Sequence, residues 1–221
     1  MPEALLARLA EAQHRGFLGP APLEHHVAHS RGFLGVIERF APPGWQDSVL
    51  VDLGPGGGVP GLLIAGWWPT QRLLLQEAST TRAAWLAETV EGLGWIDRVQ
   101  VDARRAEEAG RDPSRRHAAL VVTARAFGKP AVTAECGAPF LRPGGVLVVA
   151  EPPDGVGRWP VEGLSLLGLE LAWWGAMAPG AHVAVLRAVQ ACPERYPRRT
   201  GVPNRRPLFG GAEGGRRERH P

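Results

Sequence analysis

The segment Gly54-Pro55-Gly56-Gly57-Gly58-Val59-Pro60-Gly61 puts five glycines into eight residues, directly after the apolar run Ser48-Val49-Leu50-Val51-Asp52-Leu53. A glycine-rich turn of this kind lets backbone approach a ligand closely, and the helix it opens offers unpaired N–H groups to an anion. Gly56, Gly58 and Gly61 satisfy the dinucleotide spacing G-x-G-x-x-G, by itself a weak signal, and no Gly-Lys-Ser/Thr follows to make a P-loop. Glu77 ends the next apolar run, where a carboxylate accepts hydrogen bonds from ribose hydroxyls. That placement serves a nicotinamide dinucleotide and S-adenosylmethionine equally. Asp52, two residues before the first glycine, favours the second, because a carboxylate there can hold a methionine ammonium directly or through water.

These residues need a scaffold, and the sequence predicts one. Apolar strands are expected at 48–53, 72–76, 98–101, 117–123, 146–150, 164–174 and 182–189, with helices between several of them. Short apolar strands alternating with helices mean βαβ units and a mostly parallel sheet covered on both faces. The predicted fold class is therefore α/β and Rossmann-like, with a seven-stranded sheet. Leu5, Leu6, Leu9 and Ala12 recur at helical spacing, and a second helix follows Pro22 with Val27, Phe33, Leu34, Ile37 and Phe40 apolar. Three regions result: an N-terminal helical extension over 1–44, a cofactor-binding domain over 45–192, and an Arg-rich tail over 193–221. No packed core is expected after Pro193, and the last ten residues are expected to be disordered.

Composition removes several alternatives. The 221 residues carry a formal charge of +3, but Arg195–Pro221 holds eight arginines against Glu213 and Glu218. The basicity is a property of the tail, which points to a polyanion partner. Arg198, Arg199, Arg205 and Arg206, interleaved with Tyr196 and prolines, are the best candidate RNA contacts. No stretch reaches the roughly 20 apolar residues of a membrane span, and Met1-Pro-Glu-Ala-Leu-Leu lacks the basic start of a signal peptide. Cys136 and Cys192 make neither a disulfide framework nor a metal site. Cys136 reads as a small core residue. His25, His26 and His29 either reach RNA or line a solvated helix face. A soluble, cytoplasmic, metal-free monomer is the expectation.

Six segments in order resemble one family. Val51-Asp52-Leu53-Gly54-Pro55-Gly56-Gly57-Gly58 resembles motif I of class I methyltransferases, and its continuation through Val59-Pro60-Gly61-Leu62 is similar to the long motif of the RsmG (GidB) ribosomal RNA guanine-N7 methyltransferases. Glu77 to Leu86, Arg105-Ala106-Glu107-Glu108, Val121 to Ala126, Leu141 to Gly145 and Tyr196 to Leu208 resemble further segments of that family. The resemblance implies S-adenosylmethionine as cofactor, with Gly54, Gly56 and Gly58 against its methionine part, Glu77 on the ribose, and Ala106 and Glu107 at the adenine. It implies that Arg125 faces the RNA-side pocket and positions the substrate. It also implies 16S rRNA or the small ribosomal subunit as partner.

Methylation of guanine N7 suits this inventory, because N7 already carries an in-plane lone pair and needs no deprotonation. Alignment of donor and acceptor is the main requirement. The chain departs from the family at Glu151-Pro152-Pro153-Asp154, where members usually carry a basic segment, so two acids stand beside a polyanion site. This departure keeps two alternatives in play: a diverged methyltransferase acting on another RNA or a small molecule, and a silent paralogue that binds without turnover. Gly56→Asp is expected to abolish S-adenosylmethionine binding by filling the loop with a side chain and a negative charge. Calorimetric titration measures this, and unchanged affinity would contradict the assignment of the loop.

Overall fold

Successive residues of the central strands point into two different apolar cores, which is why those strands read as unbroken hydrophobic runs. Leu50, Val121, Val146 and Val148 enter one core, while Val51, Val122, Leu147 and Val149 enter the other. The computed structural model describes residues 2–155, 157–178 and 181–210. Strands β1 (Val49–Leu53), β2 (Leu73–Gln76), β3 (Val99–Asp102), β4 (Ala119–Ala124), β5 (Leu141–Glu151), β6 (Leu169–Ala178) and β7 (Ala181–Ala188) form one sheet in the order β3-β2-β1-β4-β5-β7-β6. The first five are parallel, and β7 runs antiparallel between β5 and β6. The order reverses at β1 and β4, so their carboxyl ends open the crevice where ligands of such sheets bind.

Helices α1 (Glu3–His14), α2 (Leu23–Phe40), α3 (Gly61–Trp67) and α4 (Thr80–Gly92) cover the first core. Leu5, Leu9 and Ala12 of α1 and Phe33, Val36 and Ile37 of α2 are buried in it, so the N-terminal extension is part of the domain. At Gly32 a Cβ would stand 2.8 Å from the Met177 side chain, which sets how closely α2 lies on the edge strand β6. The other face carries α5 (Ala106–Ala109), α6 (Pro130–Gly137) and α7 (Val161–Ser165), with α8 (Val202–Arg205) against α6. No helix among the described residues is long and apolar enough to cross a membrane.

Two sequence expectations need correction. The strand expected from Leu164 begins at Leu169; Val161–Ser165 is a short helix after Pro160, closed by Gly168 at φ 72°. Leu164 and Leu167 are buried beneath that helix, so burial and not strand pairing explains the apolar run. The segment after Pro193 is also packed. Tyr196 and Cys192 sit in the second core with Leu208 and Phe209 against it, and Arg116 donates to the Tyr196 and Cys192 carbonyls at 2.8 and 2.6 Å. The disorder expected for the last ten residues falls outside the described residues.

Arg198 fastens this segment. Its Nε and Nη2 donate to Glu135 at 2.8 and 2.6 Å, its backbone N–H adds a third bond at 2.8 Å, and Glu135 is fully buried on α6. Arg198 is thus committed inside the protein, whereas Arg199, Arg205 and Arg206 are exposed. Removing one partner of a buried pair strands the other charge. Arg198→Met is expected to destabilise the fold by about 3 kcal/mol, and Arg199→Met by under about 0.5 kcal/mol. Urea midpoints of the two variants measure the contrast, and equal midpoints would contradict this assignment.

Candidate active site

The turn between β1 and α3 is held at both ends by one carboxylate. Asp52 Oδ2 accepts the Gly61 N–H at 2.7 Å, and Oδ1 accepts the Thr123 hydroxyl at 2.8 Å from β4. The group is completely buried, and burial pushes its pKa up to about 7 against those two hydrogen bonds. Asp52 was expected to meet a methionine ammonium; instead it is fully buried, tied to the loop through Gly61 and to β4 through Thr123, because the alternation of β1 turns this side chain inward. Within the turn, Gly54, Gly56 and Gly58 have φ of 63°, 56° and 94°, which side-chain-bearing residues rarely adopt.

The loop is enclosed on two sides. A Cβ on Gly54 would stand 2.8 Å from the Phe127 ring, and one on Gly56 would stand 3.1 Å from the Phe17 carbonyl. Two adjoining lobes open around it, sharing Gly54, Arg82 and Ala126. The first, of about 230 Å³, is bounded by Gln76, Glu77, Arg105, Ala106 and Phe127. Glu77 Oε2 accepts the Gly56 N–H at 3.0 Å and Oε1 accepts the Ser79 N–H at 2.9 Å, which ties the loop to the start of α4. Each carboxylate oxygen keeps a lone pair for a ribose hydroxyl. Ala106 lines this lobe. Glu107 does not, because its Oε1 accepts the Gly201 N–H at 3.0 Å and so holds the C-terminal segment.

The second lobe, of about 290 Å³, has Phe17, Leu18, Gly19 and His26 on one side and Arg125 on the other. Arg125 follows β4, and the next residue, Ala126, has φ 54°, a strained conformation of the kind that clusters at ligand sites. Arg125 Nη2 lies 2.6 Å from His26 Nδ1, while Nη1 is buried with no hydrogen-bond partner among the described residues. A guanidinium only donates, so Nδ1 accepts and the His26 proton sits on Nε2, 3.1 Å from the Gly19 carbonyl. His26 is therefore neither an RNA contact nor part of a solvated face. Its spacing to Ser30, Phe33 and Ile37, all buried on α2, was the signal that could have placed it inside. Arg82, also unassigned from sequence, stands in the first turn of α4, where Ser79 Oγ accepts its backbone N–H at 3.5 Å.

Neither cysteine reaches the cleft; both are buried, and burial pushes their thiols up. No group of three metal-ligating side chains exists among the described residues. Glu151, expected to repel RNA, is itself nearly buried and meets Arg158 at 3.0 Å, so its charge is compensated locally. Burial raises its pKa, and Arg158 opposes that rise.

Solved structures share this architecture at low identity. The [4+2]-cyclase SpnF superposes with a TM-score of 0.53 at 18% identity, over 72% of this chain and 80% of that one. P. horikoshii TYW2, solved in complex with MeSAdo, gives 0.52 at 18% identity over 77% and 63%. The fold is that of the class I, S-adenosylmethionine-dependent methyltransferases. The cleft fits that cofactor on its own evidence: glycines where a Cβ would collide, the Glu77 carboxylate, and a buried, unpartnered Gln76 Oε1 on the same lobe. A family model described as GidB, rRNA small subunit methyltransferase G, matches residues 22–151. Relatives named ribosomal RNA small subunit methyltransferase G include one from Roseiflexus castenholzii, 35% identical over 81% of this chain and 79% of its own length. Another, from Parasynechococcus marenigrum, is 32% identical over 75% and 69%. The chain belongs to the GidB family.

His29 offers a check on the electrostatics beside Arg125. Burial, then Arg125 and His26, lower its pKa from 6.5 to about 4. The unfolded chain takes up a proton between those values that the native state refuses, so this residue's contribution to stability falls as pH drops through that interval. Asp52 has the opposite sign, since its native proton is retained up to about 7 and its contribution falls as pH rises from 3.8. Comparing His29→Gln with the unsubstituted chain cancels the Asp52 effect. The variant's stability relative to wild type is expected to improve as pH falls from about 8 to about 5. Urea midpoints at the two pH values check this, and a constant difference would contradict it.

Proposed function

We propose that this chain transfers a methyl group from S-adenosylmethionine to N7 of a guanine in small-subunit ribosomal RNA, in the cytoplasm. The observation that carries the reading is the make-up of the second lobe, where among the described residues neither a thiol nor a carboxylate lines the wall. Its one imidazole has both nitrogens engaged, by Arg125 and by Gly19. Such a wall offers no general base, so it suits an acceptor atom that attacks through a lone pair it already has. Purine N7 is such an atom, whereas an exocyclic amine must shed a proton during transfer.

Arg125 supports guanine over adenine. Its donors match the O6 carbonyl of guanine and oppose the N6 amino group of adenine. Only O6 can be used, because N7 must stay free to react. The cofactor supplies an electrophilic methyl group on a sulfonium. Glu77 orients the ribose beside it, Gly54 and Gly56 let backbone lie against its methionine part, and Phe17, Leu18 and Phe127 keep water from the reacting atoms. Arg199, Arg205 and Arg206, all exposed, supply phosphate contacts in this reading, contacts that hold RNA without reading its sequence. The Arg158 bond to Glu151 offsets one of the two acidic charges that argued for a small-molecule substrate.

The test uses radiolabelled S-adenosylmethionine with purified small subunits, naked 16S rRNA and a small-molecule extract, followed by digestion of the RNA to nucleosides. Label is expected in 7-methylguanosine. Arg125→Met is expected to lose about 100-fold in kcat/KM while keeping cofactor affinity. Label in another nucleoside, or only in the small-molecule fraction, would overturn the proposal.

A further inference from the structure

His26 joins the two walls of the acceptor lobe. Its Nε2–H meets the Gly19 carbonyl, on a segment that Gln13 also holds through the Gly19 and Ala21 carbonyls at 2.9 and 2.6 Å. Its Nδ1 accepts from Arg125 across 99 positions of sequence, and the ring is only 4% exposed. No ion pair among the described residues involves Arg125. The carboxylate that influences it electrostatically, Asp52, has both oxygens taken by Gly61 and Thr123. A neutral ring nitrogen is thus the recorded side-chain partner of a long, flexible cation.

The choice of partner has a chemical consequence. A carboxylate would take two donors of the guanidinium side by side and cancel its charge. An imidazole takes one donor, leaves the charge in place and leaves Nη1 unpartnered. We infer that His26 is a positioning residue for methyl transfer: its neutral ring holds Arg125 in the wall of the lobe, so that a guanidinium that keeps its charge meets O6 of the acceptor guanine and N7 stays open. This rests on the guanine reading above, and His26 acts in it only through Arg125.

Two isosteric changes separate the bonds. His26→Asn keeps an acceptor oxygen near the place of Nδ1 and loses the bond to Gly19. His26→Gln keeps a donor near the place of Nε2 and loses the acceptor for Arg125. The inference expects Asn to stay within about threefold of wild type in kcat and Gln to lose about 10- to 100-fold, with S-adenosylmethionine affinity unchanged in both.

A second readout needs no turnover. With S-adenosylhomocysteine present, fluorescence anisotropy of a labelled guanine-containing RNA is expected to show binding weakened about tenfold by Gln and not by Asn. Nuclear magnetic resonance of nitrogen-labelled histidine is expected to find wild-type His26 protonated at Nε2 and bare at Nδ1. The reverse order of the variants, or equal losses that follow their thermal midpoints, would show that His26 serves only the Gly19 segment and would overturn the inference. Absence of 7-methylguanosine from the wild-type reaction would strike the guanine reading instead, and the anisotropy and resonance results would still decide whether His26 positions Arg125.

Discussion

A single buried carboxylate organises the centre of this protein. Asp52 stands one residue before the end of β1 with no exposure to water, and its oxygens reach the first residue of α3 and the side chain of Thr123 on β4. Residues 53 to 60 must therefore return on themselves within a span closed by one side chain. Gly61 meets the same constraint from the other end, since a Cβ there would lie 2.6 Å from Asp52 Oδ2 and 2.5 Å from Leu75. A buried carboxylate is tolerated because both its oxygens are satisfied, although burial still raises its pKa to about 7. The tight return, in turn, demands the positive φ angles that glycine supplies.

From that clasp the rest of the cleft follows. The loop's exposed backbone is covered by Phe17 and Leu18 from the N-terminal extension and by Phe127 from the turn after β4. The loop between the first two helices, with His26 of the second, is thus part of the wall of the cleft. Glu77 and Arg125 follow β2 and β4, the two strands that flank β1, one carrying negative charge into the first lobe and the other positive charge into the second. The C-terminal segment is tied to α5 and α6 through Glu107, Glu108 and Glu135.

The seven strands and the glycine turn were legible in the sequence because both depend on local signals: apolar runs of strand length, and glycines where no other residue fits. Glu77 and Arg125 were read from their position at strand ends and from family resemblance, and Ala106 from resemblance alone; all three line the cleft. The misplaced residues share a different cause. Whether Asp52 points into the cleft or away from it depends on the phase of β1, and the methionine reading assumed the wrong face. Arg198 looked like its neighbours Arg199 and Arg205, and the partner that makes it internal, Glu135, lies 63 positions away. Glu107 is likewise claimed by Gly201, 94 positions on. The packing of 193–210 was hidden because arginine composition suggests a solvated chain, while Arg198 bonds to a buried acid and Arg111 and Arg116, far back in the sequence, bond to the segment's backbone carbonyls.

The central claim is that the glycine loop divides one cleft into a nucleoside lobe ordered by Glu77 and an acceptor lobe ordered by Arg125. The most direct measurement is a crystal structure of the protein with S-adenosylhomocysteine and guanosine monophosphate bound together. The account predicts the cofactor ribose hydroxyls on Glu77, and the guanine in the lobe between Phe17 and Arg125, with O6 on the guanidinium and N7 facing the cofactor sulfur. A guanine bound elsewhere, or one whose N7 is itself hydrogen-bonded to Arg125, would contradict it.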